Sequence, residues 1–336
     1  MFFARILALA AAFALAMPAQ AQTQKVSLAV LKLSSSGMAF IAKDAGHFAA
    51  EGLDVEFKFF AAAQPIAVAV TSGDADFGVT GLTAGFYNLA GKGALKMIAA
   101  QSRDEPGFRL NAYLASTKAF EAGFDTLSKF PGKSLGITQI GSTFHYNIGR
   151  LSQKYGFDLA TVKLVPLQSI PNVISALKGG QVDAVILPGT PAIPLVTSGD
   201  AKLLGWVGDE TPWQLGALFA GTKIVAERRA VVERFVRAYQ KGATAFAEAF
   251  PSRDDQGKAV PGRGYDQALA IIAKYTEQPP DVVSRGLAYV DPLGRLKVKD
   301  IYDQVAYWKS LKLVDGDVDP KTFLDLGFVA GHFDVP

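Results

Sequence analysis

Residues 136–150 read Gly136-Ile137-Thr138-Gln139-Ile140-Gly141-Ser142-Thr143-Phe144-His145-Tyr146-Asn147-Ile148-Gly149-Arg150. An apolar strand runs into Gly141-Ser142-Thr143, and a helix begins there. Such a junction presents backbone N–H groups that no helical carbonyl reaches, two hydroxyls and the positive end of a helix dipole. It can hold an anion without a metal or a fixed cation. The same layout recurs at three other strand ends: Ser34-Ser35-Ser36-Gly37, Thr80-Gly81-Leu82-Thr83 and Pro188-Gly189-Thr190-Pro191.

Outward from this stretch, strands and helices alternate, which predicts parallel sheets covered by helices. A first run places strands over 25–33, 54–60, 76–80 and 96–101, with helices over 38–50, 65–72 and 82–90. Pro65 near the start of the middle helix and Gly73 just past its end follow the usual asymmetry. A second run has the same order: strands 134–139, 162–167, 183–187 and 202–206, helices 143–155, 171–178 and 191–197. The repetition is one of architecture, with no residue-level repeat. Residues 109–116 and 214–221 read as crossovers between the runs. Helices over 226–250, 265–275, 280–289, 298–311 and 320–326 are expected to pack on the first lobe. The fold class is therefore α/β, with two doubly wound α/β lobes joined by two hinge crossovers. Residues 22–112 and 218–336 form lobe 1, and residues 113–217 form lobe 2. A cleft between such lobes is a usual ligand position.

Bulk properties agree with this reading. The 336 residues exceed one ordinary core, and 49% hydrophobic content is ample for burial. A net charge of +3 without a long run of one sign argues against a nucleic-acid partner. The absence of cysteine excludes disulfides, thiolate metal sites and Cys nucleophiles. His47, His145 and His332 lack metal-ligand spacing, so neither metal nor cofactor is expected. Residues 1–21 read as a signal peptide: one Arg, an apolar run over 6–17 too short to span a bilayer, then Ala19-Gln20-Ala21. The mature chain is expected to be exported to a periplasm. Lacking heptads and exposed apolar stripes, it is expected to be monomeric.

Ligands of open α/β sheets bind beyond the carboxyl ends of the strands. The candidate ligand-binding residues are Ser35, Ser36, Gly37, Thr80, Gly81 and Thr83 in lobe 1, and Gly141, Ser142, Thr143, His145 and Thr190 in lobe 2. Each has helix capping as its alternative role. His145 either donates to the anion, titrates near neutral pH or sits half-exposed on its helix. Phe40, Phe86, Phe144, Tyr146, Trp206 and Trp213 either wall the cleft or fill the core. Arg103 and Arg109 either supply a countercharge or are solvated. There is no Gly-x-Ser-x-Gly elbow, and nothing near Ser142 and His145 supplies an orienting carboxylate. No catalytic residue is assigned.

The chain resembles the periplasmic substrate-binding proteins of ABC importers, in the nitrate/sulfonate/taurine group with the SsuA/THI5-like (NMT1-like) domain. The resemblance spans roughly residues 25–247. It rests on the signal peptide, Ser72-Gly73-Asp74-Ala75-Asp76-Phe77-Gly78, residues 127–132, Gly141-Ser142-Thr143-Phe144-His145-Tyr146 and Leu177-Lys178-Gly179-Gly180-Gln181-Val182-Asp183-Ala184. It implies a type II periplasmic-binding-protein fold, a small anionic solute and docking to the transmembrane subunits of an ABC permease. It places the first-lobe contacts on residues 34–37 and 80–83, and the anion-holding helix start on Gly141, Ser142, Thr143 and His145. Where sulfonate and taurine binders carry a Trp-Asp-Pro-like segment, this chain has Leu187-Pro188-Gly189-Thr190-Pro191 without an acid. That departure argues against a ligand amine and leaves a sulfonate, nitrate-like anion or carboxylate open. A thiamine-pyrimidine synthase shares the domain, but its Cys-rich pattern is missing. A sensory binding protein would use the same clamp.

Overall fold

The computed structural model describes residues 23–336; the expected signal peptide lies outside the described residues. Ten strands build two five-stranded sheets. In chain order they are β1 (Gln24–Leu31), β2 (Leu53–Phe60), β3 (Phe77–Gly81), β4 (Leu95–Ala100), β5 (Asn111–Ser116), β6 (Ser134–Ile137), β7 (Lys163–Pro166), β8 (Ala184–Pro188), β9 (Ala201–Trp206) and β10 (Gly216–Gly221). The first sheet is ordered β2-β1-β3-β10-β4 and the second β7-β6-β8-β5-β9. β3, β5 and β8 are apolar almost throughout and buried along most or all of their length, as strands covered on both faces must be.

Each sheet contains one antiparallel strand, supplied by the chain arriving from the other lobe. β5 runs antiparallel to β8 and β9, and β10 runs antiparallel to β3 and β4. The segments expected to be bare crossovers are thus interior strands. Pairing puts Asn111 and Ala112 in the second sheet and Gly216 and Ala217 in the first, so the expected boundaries at 112/113 and 217/218 cut through β5 and β10. The crossing itself is a small ladder in which Arg103–Asp104 pairs with Trp213–Gln214.

Six helices follow strands in the two runs: α1 (Gly37–Asp44), α2 (Ala63–Ser72), α3 (Ala84–Gly91), α4 (Thr143–Tyr155), α5 (Ile170–Lys178) and α6 (Gly189–Ser198). The lobes share one equivalent contact that the sequence reading did not pick out. Asp76 accepts hydrogen bonds from the backbone and hydroxyl of Ser27, and Asp183 does the same for Ser134, each pair 49 positions apart. Each carboxylate pins the third strand of its lobe to the first. Two matching residue types in otherwise unrelated text are too sparse a signal to read as a repeat.

Among the helices that follow β10, four bear on how the lobes are held: α7 (Arg229–Ala249), α8 (Tyr265–Thr276), α9 (Pro280–Arg285) and α10 (Val298–Ser310). α7 and α8 pack on α1 in lobe 1, as expected. α9 instead reaches α6, and α10 sets Tyr307 and Trp308 against Tyr146 of α4. Both therefore grip the second lobe as well. Helix ends differ from expectation where local chemistry intervenes. The helix expected over 38–50 breaks at Gly46, whose φ of 76° is left-handed. The one expected over 226–250 is interrupted at Arg228. Residues 320–326 form only short 3-10 turns, because Asp319 and Asp325 accept from the N–H groups of Lys321 and Gly327.

Candidate ligand-binding cleft

The lobes are closed on one another. The Ala84 N–H donates to Gly141 O at 2.9 Å, and the Ile170 N–H donates to Ala61 O at 3.1 Å. Between them lies an inner cavity of about 40 Å³. That is room for about three water-sized groups.

Four helices, α2, α4, α5 and α6, begin at this cavity, and the segments leading into α1 and α3 line it as well. Ser35 lies in the turn that leads into α1, Ala62 and Ala63 start α2, and Gly81 precedes α3. Thr143 and Phe144 open α4, Ile170 opens α5, and Pro188 precedes α6. The reason is topological: a helix that follows a parallel strand starts at the strand's carboxyl edge, and both sheets turn that edge toward the cleft. Three of these helices, α1, α2 and α6, have no side-chain cap. Their first-turn N–H groups lack the usual side-chain acceptor. Polar side chains come from Ser35, Thr80, Asn111, Thr138 and Thr143, and no lining residue carries a charge. Positive potential here has one source, the converging helix ends.

The expected residues divide into those that line the cavity and those that support it. Ser35, Thr80, Gly81 and Thr143 line it. The Thr80 hydroxyl is buried without a protein partner, which leaves it free for a ligand. Thr190 faces an adjoining outer chamber of about 380 Å³, its hydroxyl likewise without partner. Ser36 is buried with an unpartnered hydroxyl outside the lining. Gly37 turns toward the lobe 1 core, where a Cβ would meet Phe246 and Ile272. Thr83 caps α3 by accepting from the Phe86 N–H and donates to Gln64.

Gly141, Ser142 and His145 form the support for α4. Ser142 accepts from the His145 N–H at 3.3 Å, and the Gly141 N–H donates to His145 Nδ1 at 3.1 Å. The amide expected to hold an anion is thus already taken. His145 is 5% exposed and rests against Trp308, so the half-exposed reading does not hold. Burial pushes its pKa down to about 4, and it is neutral at pH 7.

Of the six aromatic candidates only Phe144 lines the inner cavity. Phe40 stacks on Tyr275, Phe86 packs on Phe219, and Tyr146 lies against Trp213. Neither arginine lines it. Arg103 pairs with Glu105 at 3.2 Å, and Arg109 lies over Trp206. The sequence reading missed Asn111 and Thr138. Asn111 opens a strand whose reversed direction brings its first residue to the ligand edge, and a lone Asn beside an apolar run is the only sequence signal. Behind it, the Asn111 amide donates to Asp104 Oδ2 at 2.9 Å. Asp104 is fully buried, and burial raises its carboxyl to about 7 against the pull of that bond.

The outer chamber shares Leu31, Leu33 and Ile170 with the inner one and adds Phe59, Phe60, Pro171 and Pro191. Lys32 stands at its mouth, paired with Glu277 at 2.5 Å.

A hinged pair of α/β lobes with helix starts facing a shared cleft defines the periplasmic-binding-protein fold. The chain belongs to the NMT1/THI5-like family, which matches residues 34–251. Solved structures share the fold. The alkanesulfonate-binding protein SsuA from Xanthomonas axonopodis pv. citri, bound to MOPS, aligns with a TM-score of 0.71 at 19% identity, over 89% of this chain and 97% of that one. The periplasmic nitrate-binding protein NrtA from Synechocystis PCC 6803 aligns at 0.63 and 12% identity, over 78% and 69%. The desulfurization enzyme DSZB aligns at 0.65 and 12% identity, over 91% and 97%. No curated protein sequence matches the chain.

Proposed function

We propose that the protein is an exported, non-catalytic solute-binding protein. It closes over a small organic anion and hands it to the transmembrane subunits of an ABC permease. The observation that carries this reading is the convergence of four helix starts, with the turns leading into two more, on a cavity with no charged side chain. Helix ends favour an anion by roughly 0.3–1 kcal/mol each when exposed and more when buried. An uncharged lining gives a cation or an amine no countercharge. The inner chamber fits a sulfonate or carboxylate head, and the apolar outer chamber fits an alkyl or aryl body behind it. Sulfonate and nitrate binding by the structural neighbours supports an anion. The likeness to an enzyme supports catalysis less well, because the lining hydroxyls of Ser35, Thr80 and Thr143 have no general base among the lining residues.

A thermal-shift screen of alkyl- and arylsulfonates, aromatic carboxylates, nitrate and pyrimidines tests the reading. At a hundredfold excess over Kd a cognate anion stabilises the fold by about 2.7 kcal/mol. A screen in which only pyrimidines, or nothing, raise the melting temperature sinks it.

Thr80→Val tests the cleft residue by residue. The substitution replaces an unpartnered buried hydroxyl with a methyl group. Stability without ligand is expected to stay the same or rise, while affinity for the hit from the screen drops about tenfold. Calorimetry showing unchanged affinity would remove Thr80 from the site.

A further inference from the structure

We propose that a second anion site lies behind the hinge, where Arg109, Arg285 and Trp206 meet, and that it takes a small carboxylate with an apolar body. The site is a cavity of about 100 Å³ that shares no lining residue with either chamber of the cleft. Its walls are apolar. Ala112 of β5 and Trp206 of β9 are register partners on its floor, and Ile193 and Val196 of α6 close one side.

Two guanidinium groups enter this apolar space. Arg109 comes from the crossover into β5, and Arg285 is the last residue of α9. The Arg109 guanidinium carbon lies 5.5 Å from the Trp206 ring centroid, and the backbone of Gly257 packs flush against the guanidinium. Arg109 makes no ion pair within 4.0 Å among the described residues. The nearby acids act on it only at longer range and are committed elsewhere. Asp254 Oδ1 accepts from the N–H groups of Gln256 and Lys258, and Asp209 Oδ1 accepts from the Gly107 N–H. Arg285 gives one nitrogen to Asp281 at 2.8 Å, while its Nε is buried without a partner.

Burial lowers the Arg109 pKa; attraction to Asp254 and Asp209 opposes this, and repulsion from Arg285 adds to it. Both arginines line the one cavity, Arg109 without an ion pair among the described residues and Arg285 with its Nε unpartnered, so donor positions remain for an anion. A carboxylate meets guanidinium donors two at a time, and the apolar walls reward a hydrocarbon body behind it. Arg285 belongs to lobe 1, whereas Trp206 and Ile193 belong to lobe 2. An occupant therefore touches both lobes, and its binding is linked to closure by reciprocity.

Benzoate is a suitable probe, with inorganic sulfate as the comparison. Trp206 reports on this site, because Trp213 and Trp308 are buried elsewhere. The expected result with the mature chain is saturable quenching by benzoate that disappears in Trp206→Phe. It should weaken at least tenfold in Arg109→Gln and in Arg285→Gln, and be weaker with sulfate than with benzoate. If Arg109→Gln fails to fold, Arg285→Gln decides, since it lies at the end of a half-exposed turn. The proposal is overturned by the absence of saturable quenching, by quenching of the same amplitude and affinity in Trp206→Phe, by equal affinity in the folded Arg285→Gln variant, or by sulfate binding as well as benzoate.

Discussion

Gly141→Asp is expected to raise the Kd for the cleft ligand at least a hundredfold and to leave a folded protein. Gly141 has a φ of 82°, and a Cβ built there would sit 2.8 Å from the Cβ of Ala84. These residues belong to opposite lobes, and the Ala84 N–H donates to Gly141 O across the seam. Any side chain at 141 therefore wedges the lobes apart where α3 and α4 begin. The carboxylate adds negative charge beside the helix ends that attract the anion. A binding-competent closed state reduced to one molecule in a hundred weakens apparent affinity by the same factor. The left-handed conformation costs an L-residue about 1–2 kcal/mol, which a two-lobed chain with large cores withstands. Gly141→Ala separates the contributions, since it keeps the wedge and drops the charge. Calorimetry gives the affinity, and small-angle scattering gives the larger radius expected of an open form. Undiminished affinity in both variants would show that the seam at Gly141 does not control binding.

The alternation of strands and helices was legible in the sequence because parallel strands are short, apolar and separated by periodic helices. Four junctions at the cleft were legible because small polar residues follow such strands. Two things were hidden. Strand direction cannot be read from composition, so β5 and β10 passed for crossovers, and Asn111 escaped notice at the ligand edge. The division of labour within one turn was hidden too. Ser142 and Thr143 are adjacent and chemically alike, yet one caps the helix and the other faces the cavity. Which hydroxyl turns inward depends on backbone angles at Gly141 and on the position of His145. Likewise, Arg103 and Arg109 looked equivalent beside the same strand, but packing against Tyr289 and Trp206 takes both out of the cleft.

Two groups beside the cleft should give the protein opposing pH dependences that single substitutions uncover. His145 has its pKa pushed down to about 4 by burial, from 6.5. Its Nδ1 already accepts the Gly141 N–H, so protonation there would break the turn that starts α4. The unfolded chain binds this proton more readily than the folded one, so the His145 contribution to stability rises with pH from about 4 to 6.5. Asp104 behaves in the opposite way. Burial raises it to about 7 from 3.8, the folded state holds the proton more tightly, and its contribution falls as pH rises over that range. Each contribution is on the order of 3 kcal/mol across its window, so the two largely cancel between pH 4.5 and 6.5. In His145→Gln only the falling limb remains, and the urea midpoint should drop as pH rises through this range. In Asp104→Asn only the rising limb remains, and the midpoint should climb. Other buried acids such as Asp300 titrate alike in wild type and variants, so the difference between proteins isolates the two groups. Parallel pH profiles for wild type and both variants would mean that neither proton is coupled to folding, and that the turn under the cleft tolerates a charged imidazole.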